Sequence, residues 1–252
     1  MVRWLLYAVT LLVIALVALS IDWDRLQRAY FQPDIFAEQF PEIITRAARN
    51  TIIFTGLSFS LALVLGLALA LMRLSSIRPY RWFAVGYIEL FRGIPALVTV
   101  IAVGFATPIA LDVRVPGIYG AGSVALGIVY SAYMAETIRA GIEAVPKGQT
   151  EAARSLGMSH TRAMASIVLP QAFRIIIPPL TNEFIALVKD TSLLFVLGTT
   201  AQTIEITKFS RDEVNQTFNG TPLVAGAVVY LAITIPLGRL VGLLEARTRR
   251  AR

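Results

Sequence analysis

The sequence predicts an all-α fold, a polytopic transmembrane helical bundle, and three observations carry that prediction. The 252 residues are 56% hydrophobic, and their mean hydropathy of +0.68 is far above that of ordinary soluble domains. Six apolar runs are long enough to cross a bilayer as helices, which takes about 20 residues each. The segments between the runs are too short to fold as a separate soluble domain, so we expect one membrane-embedded unit.

The six runs, in chain order, are residues 4–21, 50–72, 82–111, 118–138, 175–200 and 222–244. The third and fifth runs are long and contain helix breakers. We expect Gly93 and Pro95 to break the third run, and the pair Pro178 and Pro179 to interrupt the fifth. Small residues such as Gly66 and Gly127 are expected to let helices approach closely.

The first run has features of both a membrane anchor and a cleavable secretion signal. Arg3 precedes it, and the small residues Ala18 and Ser20 lie at its end, as they would beside a cleavage site. A helix over residues 4–21 would be about 27 Å long, close to the thickness of the hydrocarbon layer. This length favours a retained anchor, and cleavage is the alternative.

Basic residues are distributed unevenly over the segments that connect the runs. If the N-terminus is cytoplasmic, the segments 1–3, 73–81, 139–174 and 245–252 lie inside and carry 13 Lys or Arg in 56 residues. The opposite segments, 22–49, 112–117 and 201–221, carry 7 in 55. The positive-inside rule therefore predicts that both termini and the segment 139–174 are cytoplasmic. This topology, with anionic membrane lipid as a partner, accounts for the net charge of +7, so we expect no nucleic-acid partner.

The segment 145–170 is polar and rich in small residues, unlike its surroundings. Thr150 is expected to cap a short helix in which Ala152, Ala153 and Leu156 form one small apolar face, and Gly157 is expected to turn the chain out of it. A second short helix is predicted from Ser159, as its cap, to Pro170. Because so short a helix is marginal alone, its apolar face is expected to fit a socket on another protein.

The spacing of residues in this segment resembles the coupling loop of ABC importer permeases. The pattern is Glu151-Ala-Ala, three residues, Gly157, nine residues, Ile167, one residue and Leu169-Pro170. Flanking motifs resemble the polar amino-acid uptake subfamily, of histidine, glutamine, glutamate or arginine type: residues 89–95 (ELFRGIP), 132–141 (AYMAETIRAG), 146–149 (PKGQ), 169–171 (LPQ) and 189–193 (KDTSL). The resemblance covers roughly residues 45–245.

This resemblance implies a type I ABC importer permease fold in a bacterial inner membrane, with a five-helix core plus an extra N-terminal transmembrane helix. Residues 1–44 would then hold that added helix and an external loop. Residues 45–252 would form the permease domain, with its cytoplasmic coupling loop at 139–174.

The resemblance also implies the partners. An ABC ATPase dimer would receive the helix around Glu151, Ala152, Ala153, Leu156 and Gly157, and ATP and Mg would be bound by that dimer and not by this chain. A second permease, identical or related, would complete the pore, and an extracytoplasmic amino-acid-binding protein would deliver the substrate to the external segments. The chain itself would be a transport subunit without catalytic residues.

Polar residues inside the predicted spans are candidates for a substrate pathway, because a charge in hydrocarbon costs about 3 kcal/mol or more. The candidates are Glu89, Arg92, Glu183, Lys189, Asp190, Thr191 and Ser192. Adjacent Lys189 and Asp190 cannot pair on a helix, so at least one should reach another helix or a water-filled cavity; helix–helix contact and pathway lining both remain open. Glu89 with Arg92, and Glu136 with Arg139, are three residues apart, and a local ion pair is the favoured explanation for each.

Two other classes of protein fit the sequence less well. An ion-coupled secondary transporter would also use membrane charges and broken helices, but no inverted repeat is evident. A membrane enzyme is disfavoured because the chain has one histidine, no cysteine and no Gly-x-Ser-x-Gly motif, and no metal site is predicted. No Gly-x-x-x-x-Gly-Lys-Ser/Thr loop occurs either, so a separate partner must bind the nucleotide.

Overall fold

The computed structural model describes residues 2–112, 117, 119–198, 200 and 202–250, without the side chains of 111 and 247–250. Within these residues the fold is helical and contains no β-strand, which confirms the predicted class. The helices are α1 Val2–Ser20, α2 Trp23–Tyr30, α3 Pro33–Glu38, α4 Ile43–Leu74, α5 Arg78–Gly93, α6 Ala96–Ala110, α7 Gly120–Glu143, α8 Lys147–Ser155, α9 His160–Leu197, α10 Ile206–Thr217 and α11 Thr221–Arg250.

Four of the described helices, α1, α4, α9 and α11, are long and apolar enough to cross a membrane. The pair α5 and α6 makes a fifth span if it is counted as one, and its two halves meet at an angle of 105°. Ile94 and Pro95 have extended backbone between the halves, as a residue before proline prefers. The predicted break of the third run at Gly93 and Pro95 is confirmed.

Helix α7 lies at the centre of the bundle and packs against α4, α5, α6 and α9. It is not among the described helices that are apolar enough to count as spans, as expected for a helix whose small and polar residues face other helices rather than lipid. A Cβ on Gly66 of α4 would lie 2.9 Å from Met134 Cβ of α7, and one on Gly127 of α7 would lie 2.7 Å from Leu61 Cδ2. These close approaches confirm the predicted role of both glycines. Ile118, the predicted first residue of this span, lies outside the described residues.

Helix α9 corrects two predictions about the fifth run. It runs from His160 through Pro170, Pro178 and Pro179, so Pro170 does not end a helix and the proline pair does not interrupt the span. A wide π-helical turn over Met164–Val168 precedes Pro170, and Leu169 N–H bonds Met164 O, five residues back. This wider turn accommodates the proline ring without a break. The conformation changes further along, where Thr191–Leu197 is a 3-10 helix that ends at Gly198 with φ +66°.

The bundle has two distinct ends, joined by a central core. Leu69, Ile88, Ile138 and Ile176 belong to the core cluster at the end that carries α8. A separate cluster at the opposite end, which carries α2, α3 and α10, includes Ile43, Ile206, Phe209, Ala225 and Val229. Helix α1 buries none of its side chains in the chain itself, so its apolar surface is left for lipid or another subunit.

Hydrogen bonds fix the start of α10 to the rest of the bundle. The Asn50 side-chain amide donates to Gln202 O at 3.0 Å and to Ile204 O at 2.8 Å. The fully buried Glu205 carboxylate accepts from the backbone N–H groups of Thr207 and Lys208, each at 2.6 Å, and from Tyr230 Oη at 3.2 Å. Burial raises the pKa of Glu205 to about 7, although these hydrogen bonds oppose the shift.

Candidate functional site

Helix α8 begins three residues earlier than the predicted cap. Pro146 holds the N-cap position with extended backbone, and Gln149 N–H bonds Pro146 O at 3.0 Å. Thr150 therefore lies inside the helix, and the prediction that it caps α8 is wrong. Proline fits this position because its ring fixes φ at about −65°, close to the −57° found here, and because the N-cap residue donates no hydrogen bond within the helix.

The end of α8 is a Schellman motif built on Gly157. Gly157 N–H bonds Arg154 O at 3.0 Å, and Met158 N–H bonds Ala153 O at 3.2 Å. Gly157 has φ +84°, which is accessible to glycine at little cost. Ser159 Oγ then accepts from Arg162 N–H at 3.3 Å, which confirms Ser159 as the cap of the next helix.

The predicted docking residues do not share one face. Glu151 and Ala152 are exposed, and Leu156 is 85% exposed. Ala153 is only 5% exposed, in a helix that packs on residues 164–168. Leu156 and Ala152 are thus available to a partner, while Ala153 holds α8 against its own segment.

An ion network ties three helices together near this end. Glu136 of α7 pairs with Arg139 at 2.9 Å, as predicted, and also with Arg73 of α4. Arg92, at the end of α5, lies 4.0 Å from the same carboxylate. The Glu136 side chain is 18% exposed, so it is a partly buried charge shared by three guanidinium groups. The alternative pairing of Arg92 with Glu89 is not formed, and Glu89 is exposed.

A line of polar groups continues from this network into the bundle. Arg92 lies 5.6 Å from the centre of the Tyr133 ring, and the Tyr130 and Tyr133 rings are 6.0 Å apart. Tyr130 Oη donates to Asp190 Oδ2 at 2.9 Å. Glu183 lies within electrostatic range of both Arg92 and Asp190. We call this set the polar strip: Arg92, Tyr130, Tyr133, Glu136, Glu183 and Asp190.

The structure separates the remaining predicted pathway residues from the polar strip. Lys189 is exposed and projects about 100° around the axis of α9 from Asp190, and of the two it is Asp190 that bonds to α7. Thr191 is fully buried, and its hydroxyl donates to Val188 O at 2.7 Å. Ser192 is partly buried beside it.

Sequence reasoning missed Tyr130, Tyr133 and Arg73 as members of these networks. The signal was present in and directly after the fourth run, where polar residues recur every three positions at 130, 133, 136 and 139. That spacing places them on adjacent turns of one helix face.

The polar strip has the charges that a zwitterion requires. Two carboxylates, Glu183 and Asp190, can accept hydrogen bonds from an ammonium group, and Arg92 can bind a carboxylate with two parallel hydrogen bonds. Arg92 is 46% exposed, so its guanidinium is accessible beside the break between α5 and α6.

Comparison with known proteins identifies the family. Residues 62–250 match the family model described as "Binding-protein-dependent transport system inner membrane component", which is three quarters of the chain. The chain belongs to this family. Such inner membrane components cross the membrane several times, in agreement with the spans found here.

Several named transport permeases are similar to the chain. A probable glutamine ABC transporter permease protein of Bacillus subtilis (strain 168) is 40% identical over 202 residues, covering 80% of this chain and 91% of its own. An arginine transport system permease protein of Corynebacterium glutamicum is 36% identical over 245 residues, covering 92% and 75%. A glutamate/aspartate import permease protein of Escherichia coli O157:H7 is 35% identical over 198 residues, covering 73% and 83%.

Solved structures place this inner membrane component in the type I ABC importer permease fold. A crystal structure of an amino acid ABC transporter with histidines matches with a TM-score of 0.75 and 36% identity, covering 83% of this chain and 95% of that one. A methionine ABC transporter in inward-facing conformations matches with a TM-score of 0.64 at 18% identity, covering 82% and 99%, which supports the fold alone. An importer permease of this family works, in general, with an ATPase and a solute-binding protein.

Proposed function

We propose that this chain is the pore-forming permease of an ATP-driven importer of polar or charged amino acids. The observation that carries the proposal is the exposed helix α8, followed by Leu156, between two helices that reach into the bundle. An exposed helix of nine residues is marginal alone, and its partner in this proposal is the ATPase with which importer permeases of this family work in general.

The proposed topology places α8 where nucleotide is available. Both termini and residues 139–174 are cytoplasmic, as the distribution of basic residues indicates. Residues 45–252 then form the permease domain, and residues 1–44 add a transmembrane helix and an external segment. ATP and Mg belong to the ATPase dimer, and this chain hydrolyses nothing.

The proposed substrate class rests on the polar strip and on the relatives. The named relatives carry glutamine, arginine, cystine, or glutamate and aspartate, all of which share a zwitterionic main chain. Arg92 would bind the α-carboxylate, and Glu183 or Asp190 the α-ammonium. A second permease, identical or related, completes the pore, and an amino-acid-binding protein delivers the substrate from outside.

Reconstitution tests the proposal. Proteoliposomes with the chain, its cognate ATPase and the binding protein should accumulate one of L-glutamine, L-arginine or L-glutamate with ATP at the α8 side, even when ion gradients are collapsed. Leu156→Asp should lower uptake by at least about tenfold, because an unpaired carboxylate in an apolar socket costs several kcal/mol.

The matched control is Ile77→Asp, an exposed apolar residue in the other loop at the same end of the bundle. Ile77 is the N-cap of α5, where Asp is favourable, so this variant should insert and transport normally. Uptake that follows an ion gradient without ATP contradicts the proposal and supports a secondary transporter.

A further inference from the structure

A polar cavity lies at the α10 end of the bundle, separate from the polar strip. Its volume is about 310 Å³, which falls at the lower end of the range of small-molecule sites, ~300–1,000 Å³. The cavity, which we call the outer cavity, is lined by Phe195, Val196, Lys208, Arg211, Asp212 and Asn215. Its walls carry both signs of charge, with Lys208 and Arg211 positive and Asp212 negative.

Helix α10 supplies the charges from one face. Lys208 lies three and four residues before Arg211 and Asp212, and Asn215 lies four and three residues after them, so the four side chains lie on adjacent turns. Lys208 forms an ion pair with Asp212. The exposed Arg211 has no carboxylate partner among the described residues.

The 3-10 segment of α9 supplies the opposite wall. The Arg211 guanidinium carbon lies 4.5 Å from the centre of the Phe195 ring, a cation–π distance that holds the planar group against the cavity wall. The N–H groups at the edge of a guanidinium stacked in this way remain free to bind a carboxylate.

We propose that the outer cavity is a low-affinity binding site for an α-amino acid. Arg211 and Asn215 bind the α-carboxylate, and Asp212 shares its carboxylate between Lys208 and the α-ammonium group. The inference rests on the proposed function, because the outer cavity would bind the imported amino acid before the amino acid moves to the polar strip.

The position of the outer cavity fits this role. Phe195 and Asp190 belong to the same helix and are five residues apart, across a segment that rises about 2 Å per residue. The two sites are therefore separated by roughly 10 Å along α9. In the proposed topology the outer cavity is on the extracytoplasmic side, where the binding protein releases the substrate. Because its charges are partly exposed, we expect binding in the millimolar range.

Ligand-detected NMR tests the inference on the purified full-length chain in lipid nanodiscs. Saturation-transfer titrations with L-glutamine, L-arginine and L-glutamate are run on Asp190→Asn, which weakens the polar strip and leaves the outer cavity intact. In the double variant Asp190→Asn with Arg211→Gln, the affinity of the remaining site for the amino acid should be lower by about threefold to fivefold. Arg25→Gln, an exposed arginine on α2, is the matched control and should change nothing. Agmatine, which lacks the α-carboxylate of L-arginine, should bind independently of Arg211.

Two results overturn the inference. If Asp190→Asn alone abolishes every signal, or if Arg211→Gln leaves the remaining affinity unchanged, the outer cavity is not a site, while the proposed function stands. If the wild-type chain binds none of the three amino acids, the inference and the proposed substrate class fall together.

Discussion

At the scale of single residues, Asp190 connects α9 to α7 within the polar strip. Its carboxylate accepts a hydrogen bond from Tyr130 Oη and lies near Glu183, so α9 presents negative charge to the centre of the bundle. Its neighbour Lys189 points elsewhere and does not neutralise it. The residue therefore has the position and the charge to bind an ammonium group.

Asp190→Asn should raise the KM for amino-acid uptake about tenfold or more and leave the ATPase bound. The asparagine oxygen still accepts the Tyr130 hydrogen bond, but the charge-assisted bond to the ammonium is lost, which is worth ~1.5–3 kcal/mol. The measurement is concentration-dependent uptake in proteoliposomes, with Asp34→Asn on the exposed face of α3 as the control. An unchanged KM removes Asp190 from the site.

The buried Glu205 makes stability depend on pH. Its pKa is about 7 in the folded chain against 4.5 in the unfolded chain. Between pH 4.5 and pH 7 the folded state therefore retains a proton that the unfolded state has released. Stability therefore falls as pH rises from about 4.5 to 7, by roughly 3 kcal/mol, and this contribution is constant above 7.

Glu205→Gln should remove this slope, because glutamine does not titrate and its oxygen still accepts from the start of α10. Thermal unfolding of both proteins at pH 5, 6, 7 and 8 gives the comparison. Parallel pH profiles for wild type and variant contradict the assignment.

At the scale of elements, the residues at the two ends of α8 determine its length and the exposure of Leu156. Pro146 starts the helix, and the Schellman motif at Gly157 stops it and sends the chain into α9. Leu156 is left exposed at this turn, so the backbone that ends the helix also presents the side chain proposed to dock.

Gly157→Ala should loosen this turn. Nothing lies within 4 Å of a Cβ at Gly157, so the cost comes from the positive φ alone and amounts to about 1 kcal/mol. Hydrogen exchange of the Gly157 and Met158 amides should accelerate about fivefold. Gly148→Ala is the matched control, because Gly148 lies inside α8 with open space around it and alanine there stabilises the helix by about 1 kcal/mol. If these amides exchange at the same rate in both variants, the positive φ of Gly157 has no special role.

The ion pair between Arg73 of α4 and Glu136 of α7 leads to a second prediction at the scale of elements. Glu136→Gln should lower the unfolding temperature more than Arg73→Met, because removing the shared carboxylate leaves three guanidinium groups near one another without an anion. Arg73→Met removes one of three partners and retains the packing of the side-chain stem. Thermal unfolding in detergent measures the order, and the reverse order contradicts a shared carboxylate.

Much of the element pattern could be predicted from the sequence, and its failures have physical causes. Hydrophobic runs and the Gly93–Pro95 break were sufficient to locate the four long apolar helices and the bent pair, because both depend on local sequence. Pro170, Pro178 and Pro179 were misread as breaks, since a π turn and the surrounding helices accommodate them. Tyr130 and Tyr133 were missed because their role depends on which helix faces α7.

At the scale of the whole molecule, the two ends of the bundle present different chemistry. One end presents α8 and the Glu136 network; the other presents α10 with the outer cavity and the acidic residues Glu38, Glu42 and Glu213. The polar strip extends inward from the Glu136 network to Asp190, which α9 connects with the α10 end. This arrangement suits a transport path with the ATPase at one end and delivery of the substrate at the other.

The most direct test of the central claim labels Leu156 from each side of the membrane. The chain has no cysteine, so Leu156→Cys gives a single thiol, and Phe218→Cys, 93% exposed at the opposite end, gives the control. With a membrane-impermeant maleimide, the account predicts that Leu156→Cys reacts only in inside-out vesicles and is protected when the ATPase binds, whereas Phe218→Cys reacts only in right-side-out vesicles. Labelling of Leu156→Cys from the outer face, or labelling that the ATPase does not reduce, would contradict it.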